Sequence, residues 1–233
     1  MEHLFYAPDI ASDPELPEEE SQHCVRVLRL RNGNAVTVTD GKGFLYRAIL
    51  TDAHPKRCRV GITEKLSANT SCRFDIHIAI SPTKNMDRME WFVEKATEIG
   101  ISEITCLRCR YSERRETKLQ RLYRIAISAM KQSQKTVLPK INETVDFQEF
   151  VAQPREGCKM IGHCTESEKN LMKEIYKPGE NAVILIGPEG DFSPEEIKAA
   201  ISAGFSPVSL GESRLRTETA ALVACHTIHV LNQ

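Results

Sequence analysis

No stretch of this sequence is apolar over the length that a membrane-spanning helix needs. The first residues, Met1-Glu2-His3, also lack the charged and then apolar start of a secretory signal. Neither a membrane protein nor a secreted one is indicated, and we expect a soluble protein of the cytoplasm with no membrane partner. A hydrophobic fraction of 41% in 233 residues supports a real core, in one large domain or two modest ones.

The sequence also has almost no net charge. Its 31 lysines and arginines are balanced by 32 aspartates and glutamates, which leaves a formal charge of −1. Because no field of the whole protein attracts nucleic acid, any surface for it must be local. Residues 107–140 form a local excess, with ten cations against two carboxylates and a net charge of +8. An apolar stripe at helical spacing turns these cations outward, where they either contact phosphates or form a solvated helix face.

Metal-binding patterns are missing as well. Among the eight cysteines, Cys106 and Cys109 form a Cys-x-x-Cys pair, and no second pair lies at the spacing of a zinc site. The pair falls in a predicted strand, which points residues three apart to opposite faces. We therefore expect reduced thiols and no metal.

The carboxyl-terminal part of the chain contains two strand-loop-helix units, of which the first begins at Ala182. Ala182–Ile186 is an apolar run rich in β-branched residues, typical of a strand buried on both faces. The loop 187–190, with the sequence Gly-Pro-Glu-Gly, follows it. Ser193, Pro194 and Glu196 then predict the start of a helix with a capping box.

The second unit begins with a predicted strand over Pro207–Leu210 and a loop over 211–216. Thr217 is expected to cap the last helix, with Glu218 in its first turn, where the helix dipole favours an anion. A further strand-like run, Cys158–Cys164, ends in a third loop beside these two. Loops at the carboxyl ends of parallel strands hold ligands, although an ordinary turn explains any one of the glycines. Neither G-x-G-x-x-G nor G-x-x-x-x-G-K-[ST] occurs, so no dinucleotide or triphosphate cradle is indicated.

The rest of the chain predicts a β-rich part followed by an α/β part. Short strands in the first part favour a small β-barrel, and the polar segment 64–71 is expected to link it to the second. A buried strand up to Ile80, an amphipathic helix over Asp87–Gly100 and a strand over 101–107 give the pattern of a parallel sheet. The predicted strands of the first part are Ala35–Thr39, Phe44–Leu50 and Arg57–Ile62.

Two pairs of segments carry a resemblance to a known family: Ile186–Gly190 with Phe192–Glu196, and Leu210-Gly211 with Leu215–Ala220. They resemble the RsmE family of ribosomal RNA methyltransferases, in the SPOUT superfamily. Shorter matches extend the likeness along nearly the whole chain: Lys84, Asp87–Trp91, Lys95–Gly100, Ser112–Arg114, Gln132-Ser133, His23, Val27–Leu30 and Gly33.

The resemblance implies a fold and a reaction. Residues 1–68 would form a PUA-like β-barrel that binds RNA, and residues 72–233 an α/β SPOUT domain whose parallel sheet carries a trefoil knot. A homodimer would transfer a methyl group from S-adenosyl-L-methionine to the N3 atom of one uridine in small-subunit (16S) ribosomal RNA. The partner would be ribosomal RNA or the assembled small subunit. S-adenosylmethionine has no phosphate, which agrees with the missing phosphate motifs.

The resemblance also implies site residues. Arg216 would stabilise charge on the uridine, with Glu218 and Glu189 as the available carboxylates, although Arg216 and Glu218 are as compatible with a structural ion pair. The residues expected to bind the cofactor are Cys164, Gly187, Pro188, Glu189, Gly190, Leu210, Gly211, Leu215, Arg216 and Thr217. The residues expected to bind RNA are Arg26, Arg29, Lys84, Arg88, Arg110, Arg114 and Arg121.

Two places depart from the family pattern. Asp191 stands where a glycine is usual, and Glu212-Ser213-Arg214 replaces the common residues after Gly211. Two other functions stay open: a non-catalytic RNA-binding ribosome assembly protein, and an α/β enzyme that uses another nucleotide and holds its ribose hydroxyl with Glu212.

Overall fold

A computed structural model describes residues 3–67, 74–165 and 169–233. The chain divides into two compact units. The first comprises Met1–Ser71 with Ile127–Leu138, and the second comprises Cys72–Ala126 with Pro139–Gln233. In the described part of the chain, no helix is long and apolar enough to cross a membrane.

The first unit is built on a four-stranded sheet in the order β1-β2-β3-β4. Strand β1 runs parallel to β2, and the other neighbours are antiparallel. Val38, Tyr46 and Leu50 lie in its core, each at most 2% exposed. The elements are β1 (Leu4–Tyr6), α1 (Glu18–Gln22), a π-helical turn (His23–Val27), β2 (Ala35–Thr39), β3 (Phe44–Asp52) and β4 (Arg59–Ser67).

The three strands predicted for this unit are confirmed, but the predicted linker is wrong at its start. Residues 64–67 belong to β4, and the remainder of the expected linker, 68–71, lies outside the described residues. The reason is a charge pair across the sheet, because Glu64 lies opposite Arg47 and accepts a hydrogen bond from it at 2.9 Å. Such cross-strand pairs favour polar residues on an exposed strand face.

A segment distant in sequence completes the first unit. Gly43 N donates to the carbonyl of Thr136 at 2.9 Å, and Leu138 N donates to the carbonyl of Gly41 at 2.9 Å. Lys131 forms an ion pair with the buried Glu20. At least one cation of the basic stretch 107–140 is therefore engaged inside the protein rather than turned outward.

The second unit is built on a seven-stranded sheet in the order β7-β6-β5-β10-β8-β11-β9. Every described strand pair in it is parallel, which confirms the α/β class. Its strands are β5 (Ile76–Ile80), β6 (Glu103–Arg108), β7 (Lys140–Asp146), β8 (Cys158–Gly162), β9 (Asn170–Leu171), β10 (Ala182–Ile186) and β11 (Ser206–Ser209). Its helices are α2 (Met86–Ile99), α3 (Leu119–Gln132), α4 (Phe147–Ala152), α5 (Met172–Ile175), α6 (Pro194–Ser202) and α7 (Thr217–Leu231), and α3 continues into the first unit from Ile127.

Local sequence signals account for the elements at the centre of this sheet. The strands β5 and β10 are buried along their whole length. The run of β-branched residues predicts this for β10, and the alternating pattern that ends at Ile80 predicts a buried strand for β5. Helix α2 begins where the side chain of Asn85 accepts a hydrogen bond from Asp87 N, and it ends at Gly100, whose φ of 119° is left-handed. Helix α7 packs against α2.

Candidate functional site

Three loops meet at the carboxyl edge of the parallel sheet of the second unit. They follow β10, β8 and β11, which are neighbours in that order. The loop after β8, which the sequence predicted as the third loop, therefore does lie beside the other two. The loops enclose a cavity of about 780 Å³, the kind of site that α/β sheets offer to ligands. The cavity is lined by Arg88, residues 162–164, Lys169, residues 186–191, residues 208–217 and Ala220.

Contacts with neighbouring residues hold the loop after β10 in one conformation. A Cβ on Gly187 would lie 3.1 Å from the ring of Phe192, so a larger residue here would require Phe192 to shift by a few tenths of an ångström. The predicted capping box is confirmed, because Ser193 Oγ accepts from Glu196 N at 3.2 Å and Glu196 accepts from Ser193 N at 2.8 Å. The buried Glu196 also accepts from Arg110 N at 2.8 Å, which joins this cap to the loop after β6.

Asp191 connects the loop after β10 to the loop after β8. Its φ of 66° is left-handed, which explains why a glycine suits this position and why an aspartate tolerates it. The Oδ2 atom accepts a hydrogen bond from Cys164 N at 2.7 Å, and Oδ1 accepts from Phe192 N at 2.8 Å. The departure from the family pattern thus gives the cavity a side-chain link between two of its three loops.

The loop after β11 presents its backbone to the cavity. Gly211 has a φ of 117°, and apart from its two chain neighbours no atom of the described residues lies within 4 Å of a Cβ placed there. The prediction that Thr217 caps α7 is wrong: the cap residue is Arg216, and no side chain caps this end. The cause is the backbone, which stays extended through Arg216 (φ −73°, ψ 157°) and turns helical only at Thr217.

Glu218 lies in the first turn of α7, as predicted, but its partner is not Arg216. Its buried carboxylate lies 3.8 Å from Arg88 Nε of α2. Arg88 lines the cavity, whereas Glu218 does not. Arg216 is exposed and lines the cavity.

Glu189 lines the cavity and is fixed at one oxygen. Its Oε1 accepts a hydrogen bond from Lys84 N at 3.0 Å. The Lys84 ammonium lies 2.8 Å from Glu113, and the hydrogen bond that it donates to this carboxylate raises the pKa of Lys84. Arg114 Nη2 donates to the Lys84 carbonyl at 3.2 Å, so the loop after β6 and the loop after β10 share a polar network.

All ten residues expected to hold the cofactor line this cavity. His163, Lys169 and Arg88 line the cavity as well. The sequence placed His163 in the third loop without a role, did not single out Lys169 and assigned Arg88 to RNA. Burial lowers the pKa of His163, the charge of Lys169 lowers it further, and Asp191 opposes both. Among residues 3–67, 74–165 and 169–233, neither ring nitrogen of His163 finds a hydrogen-bond partner. The only sequence signal for His163 and Lys169 was their position after β8.

The residues expected to bind RNA lie in both units. In the second unit Arg110 and Arg114 are exposed, and Arg121 is held by Glu90 through Nε at 2.6 Å and Nη2 at 2.8 Å. In the first unit Arg26 lies in the π-helical turn, and Arg29 has a left-handed φ of 55°. Their contacts to RNA stay a prediction.

Comparison with known proteins gives the class. The family described as RNA methyltransferase domain matches residues 70–229, and the family described as RNA methyltransferase PUA domain matches residues 16–63. Fold, site and matches together define an RNA methyltransferase with an amino-terminal PUA domain.

Relatives narrow the class to one family. A probable rRNA-methyltransferase from Porphyromonas gingivalis has a crystal structure with a TM-score of 0.93, at 46% identity over 98% of each chain. The ribosomal RNA small subunit methyltransferase E of Neisseria gonorrhoeae, crystallised with S-adenosyl methionine, is 30% identical over 99% of this chain and 98% of that one, with a TM-score of 0.88. The protein of the same name from Synechocystis is 31% identical over 98% of this chain and 77% of its own. The chain belongs to the ribosomal RNA small subunit methyltransferase E family.

Proposed function

We propose that this protein transfers the methyl group of S-adenosyl-L-methionine to the N3 atom of a uridine in small-subunit ribosomal RNA. The observation that carries the proposal is the three-loop cavity of about 780 Å³, in a family whose Neisseria gonorrhoeae member is bound to S-adenosyl methionine. The names of the relatives support small-subunit ribosomal RNA as the substrate.

The residues of the cavity fit this cofactor. The backbone at Gly211 leaves room for a ligand, because in the part of the chain that the structure describes only its chain neighbours lie within 4 Å of a Cβ at that position. Ile186, Leu210 and Leu215 supply apolar walls, and Glu189 and Arg216 supply polar side chains, the combination that small-molecule sites use. We assign cofactor binding to Cys164 and to the predicted residues of the loops 187–190 and 210–217.

The reaction requires two functions from residues of the chain. S-adenosylmethionine supplies an activated methyl group when bound, but the uridine N3 carries a weakly acidic proton. The chain has to accept that proton and stabilise negative charge on the flanking carbonyls. Glu189 and Arg216 are exposed and line the cavity, which supports Glu189 as the proton acceptor and Arg216 as the donor to a carbonyl. Glu218 contributes as a positioning residue, through its pair with Arg88.

The finer features of the fold belong to the same proposal. Residues 1–68 form a PUA-like barrel that holds the RNA, which the PUA match at 16–63 supports. Residues 72–233 form a catalytic domain with a trefoil knot and act as a homodimer in the cytoplasm. Sedimentation velocity at micromolar concentration tests the dimer, since a monomer at that concentration contradicts it.

Three measurements test the function. Calorimetric titration should show binding of S-adenosylhomocysteine, and labelled S-adenosylmethionine should transfer its methyl group to naked 16S rRNA or to small subunits. A methyl group on N3 blocks the Watson–Crick edge, so reverse transcription of the product should stop next to the modified uridine. RNA binding without cofactor binding would favour the assembly protein, and preference for another nucleotide would favour the third function.

A further inference from the structure

An exposed aromatic ring lies against the loop after β10. Tyr111 is 48% exposed. A Cβ placed on Gly190 would lie 3.2 Å from Tyr111 Cβ and 3.8 Å from its Cγ, so the base of the tyrosine side chain packs on the glycine. Gly190 lines the cavity and Tyr111 does not, so Tyr111 lies directly next to a residue of the cavity wall.

The backbone that carries Tyr111 is fixed on both sides of it. Arg110 N donates to Glu196 at 2.8 Å, and Ser112 Oγ accepts from Cys109 N at 2.8 Å. The Ser112 hydroxyl, which is buried, also lies 2.7 Å from the hydroxyl of Ser81 at the end of β5. Because the turn fixes the backbone of Tyr111, little conformational entropy is lost when a flat partner binds the exposed ring.

The surroundings of the ring favour an anionic polymer. Arg110, Arg114 and Arg115 are exposed in the same segment, and Glu113 is engaged by Lys84. Cationic side chains that contact phosphates, with an aromatic ring between them, are the combination with which proteins hold unstacked nucleotides. A tyrosine that served only the core would instead be buried, as Tyr46 is at 2% exposure.

We propose that Tyr111 is a stacking platform for a nucleobase of the RNA substrate beside the cavity wall. The ring holds a base unstacked from its neighbours while the arginines beside it contact the phosphates on either side. The inference rests on the proposed function and adds to it the residue that receives RNA in the catalytic unit.

The test compares Tyr111→Phe, Tyr111→Leu and, as a matched control, Tyr123→Leu. Tyr123 is 39% exposed on α3 and is not one of the residues that line the cavity. Each variant is measured for affinity to 16S rRNA at several salt concentrations, for affinity to S-adenosylhomocysteine and for thermal stability. Because base stacking is sequence-tolerant and needs only the ring, Tyr111→Phe and Tyr123→Leu should stay within about twofold of the parent. Tyr111→Leu should lose between about five- and a hundredfold in RNA affinity.

Two further readouts separate stacking from a structural role. Tyr111→Leu should keep the parent's slope of affinity against salt, because no phosphate contact is lost, and it should bind S-adenosylhomocysteine normally. Unchanged RNA affinity in Tyr111→Leu, equal losses in Phe and Leu, or a parallel loss of S-adenosylhomocysteine binding would each overturn the proposal. If the parent binds S-adenosylhomocysteine and methylates RNA while Tyr111→Leu is unaffected, only this inference fails. A parent that does neither overturns the proposed function, and this inference with it.

Discussion

Arg88 Nε lies 3.8 Å from Glu218 Oε1, and this contact ties α2 to the first turn of α7. The carboxylate is almost completely buried and the guanidinium is partly exposed at the cavity wall, with side-chain exposures of 9% and 38%. A buried carboxylate needs a partner, since leaving one without a counter-charge costs several kcal/mol. The pair therefore fixes both the direction of Arg88 and the start of the helix that carries Arg216.

The Arg88 and Glu218 pair should behave as one unit in a double-mutant cycle. Arg88→Met and Glu218→Gln should each lower the free energy of unfolding by about 1–3 kcal/mol, and the double variant should lose much less than the sum. Denaturant unfolding measures all four proteins. Additive losses would show that the two side chains do not interact, and normal stability with abolished methyl transfer in Glu218→Gln would return Glu218 to the role of a base.

Arg216 should matter for the chemical step and little for binding. Arg216→Ala is expected to lower single-turnover methyl transfer by on the order of a hundredfold, because one preorganised donor to developing charge is lost. S-adenosylhomocysteine and RNA affinities should stay within about threefold. Arg216→Lys should restore only part of the rate, since an ammonium lacks the planar fork. A loss confined to cofactor affinity would make Arg216 a binding residue only.

The hydrogen bond from Cys164 N to Asp191 should organise the cavity, although the left-handed backbone of Asp191 is strained. Asp191→Gly relieves the left-handed φ of 66° but removes the acceptor of the 2.7 Å bond from Cys164 N. We expect an unchanged or slightly higher melting temperature together with about five- to tenfold weaker S-adenosylhomocysteine binding. Asp191→Asn keeps an acceptor and tolerates the backbone, so it serves as the control. Full affinity in the glycine variant would show that the link does not organise the cavity.

The basic segment should contribute to RNA binding more through the exposed Arg110 and Arg115 than through Arg121, which Glu90 holds. Replacing Arg110 and Arg115 with alanine should weaken 16S rRNA binding and reduce the slope of log affinity against log salt by about one to two, since each phosphate contact releases counterions. Arg121→Ala is the matched comparison, because Glu90 already neutralises that guanidinium, and it should change the slope less. Equal slopes in all three proteins would make the segment a solvated face.

Acid should destabilise the second unit through His77. This buried imidazole lies 2.7 Å from the hydroxyl of Thr105, and burial lowers its pKa to about 4, with Glu103 opposing and Arg155 and Lys140 assisting. The unfolded chain, with a histidine pKa near 6.5, binds the proton first, so stability should be complete above pH about 6.5 and fall as the pH approaches 4.

The pH dependence of the melting temperature measures this effect. His77→Gln should flatten it between pH 6.5 and 4, whereas the same change at the exposed His226 should leave it intact. An unaltered profile in His77→Gln would assign the acid sensitivity to other groups.

The sequence by itself determined the parts of this protein that depend on neighbours along the chain. The strand Ala182–Ile186, the loop 187–190 and the capping box of Ser193 and Glu196 follow from apolar runs, turn residues and contacts three residues apart. The same local patterns carried the resemblance that named the family and the ten residues now found around one cavity.

Only the tertiary structure decided which distant residues meet. The strand order puts β8 between β10 and β11, and that placement is what lets Asp191 reach Cys164. Arg88 and Glu218 meet because α2 and α7 pack together, and Ile127–Leu138 joins the first unit through hydrogen bonds to Gly41 and Gly43. No spacing in the sequence encodes these contacts, since they depend on how the whole sheet and its helices bury apolar surface together.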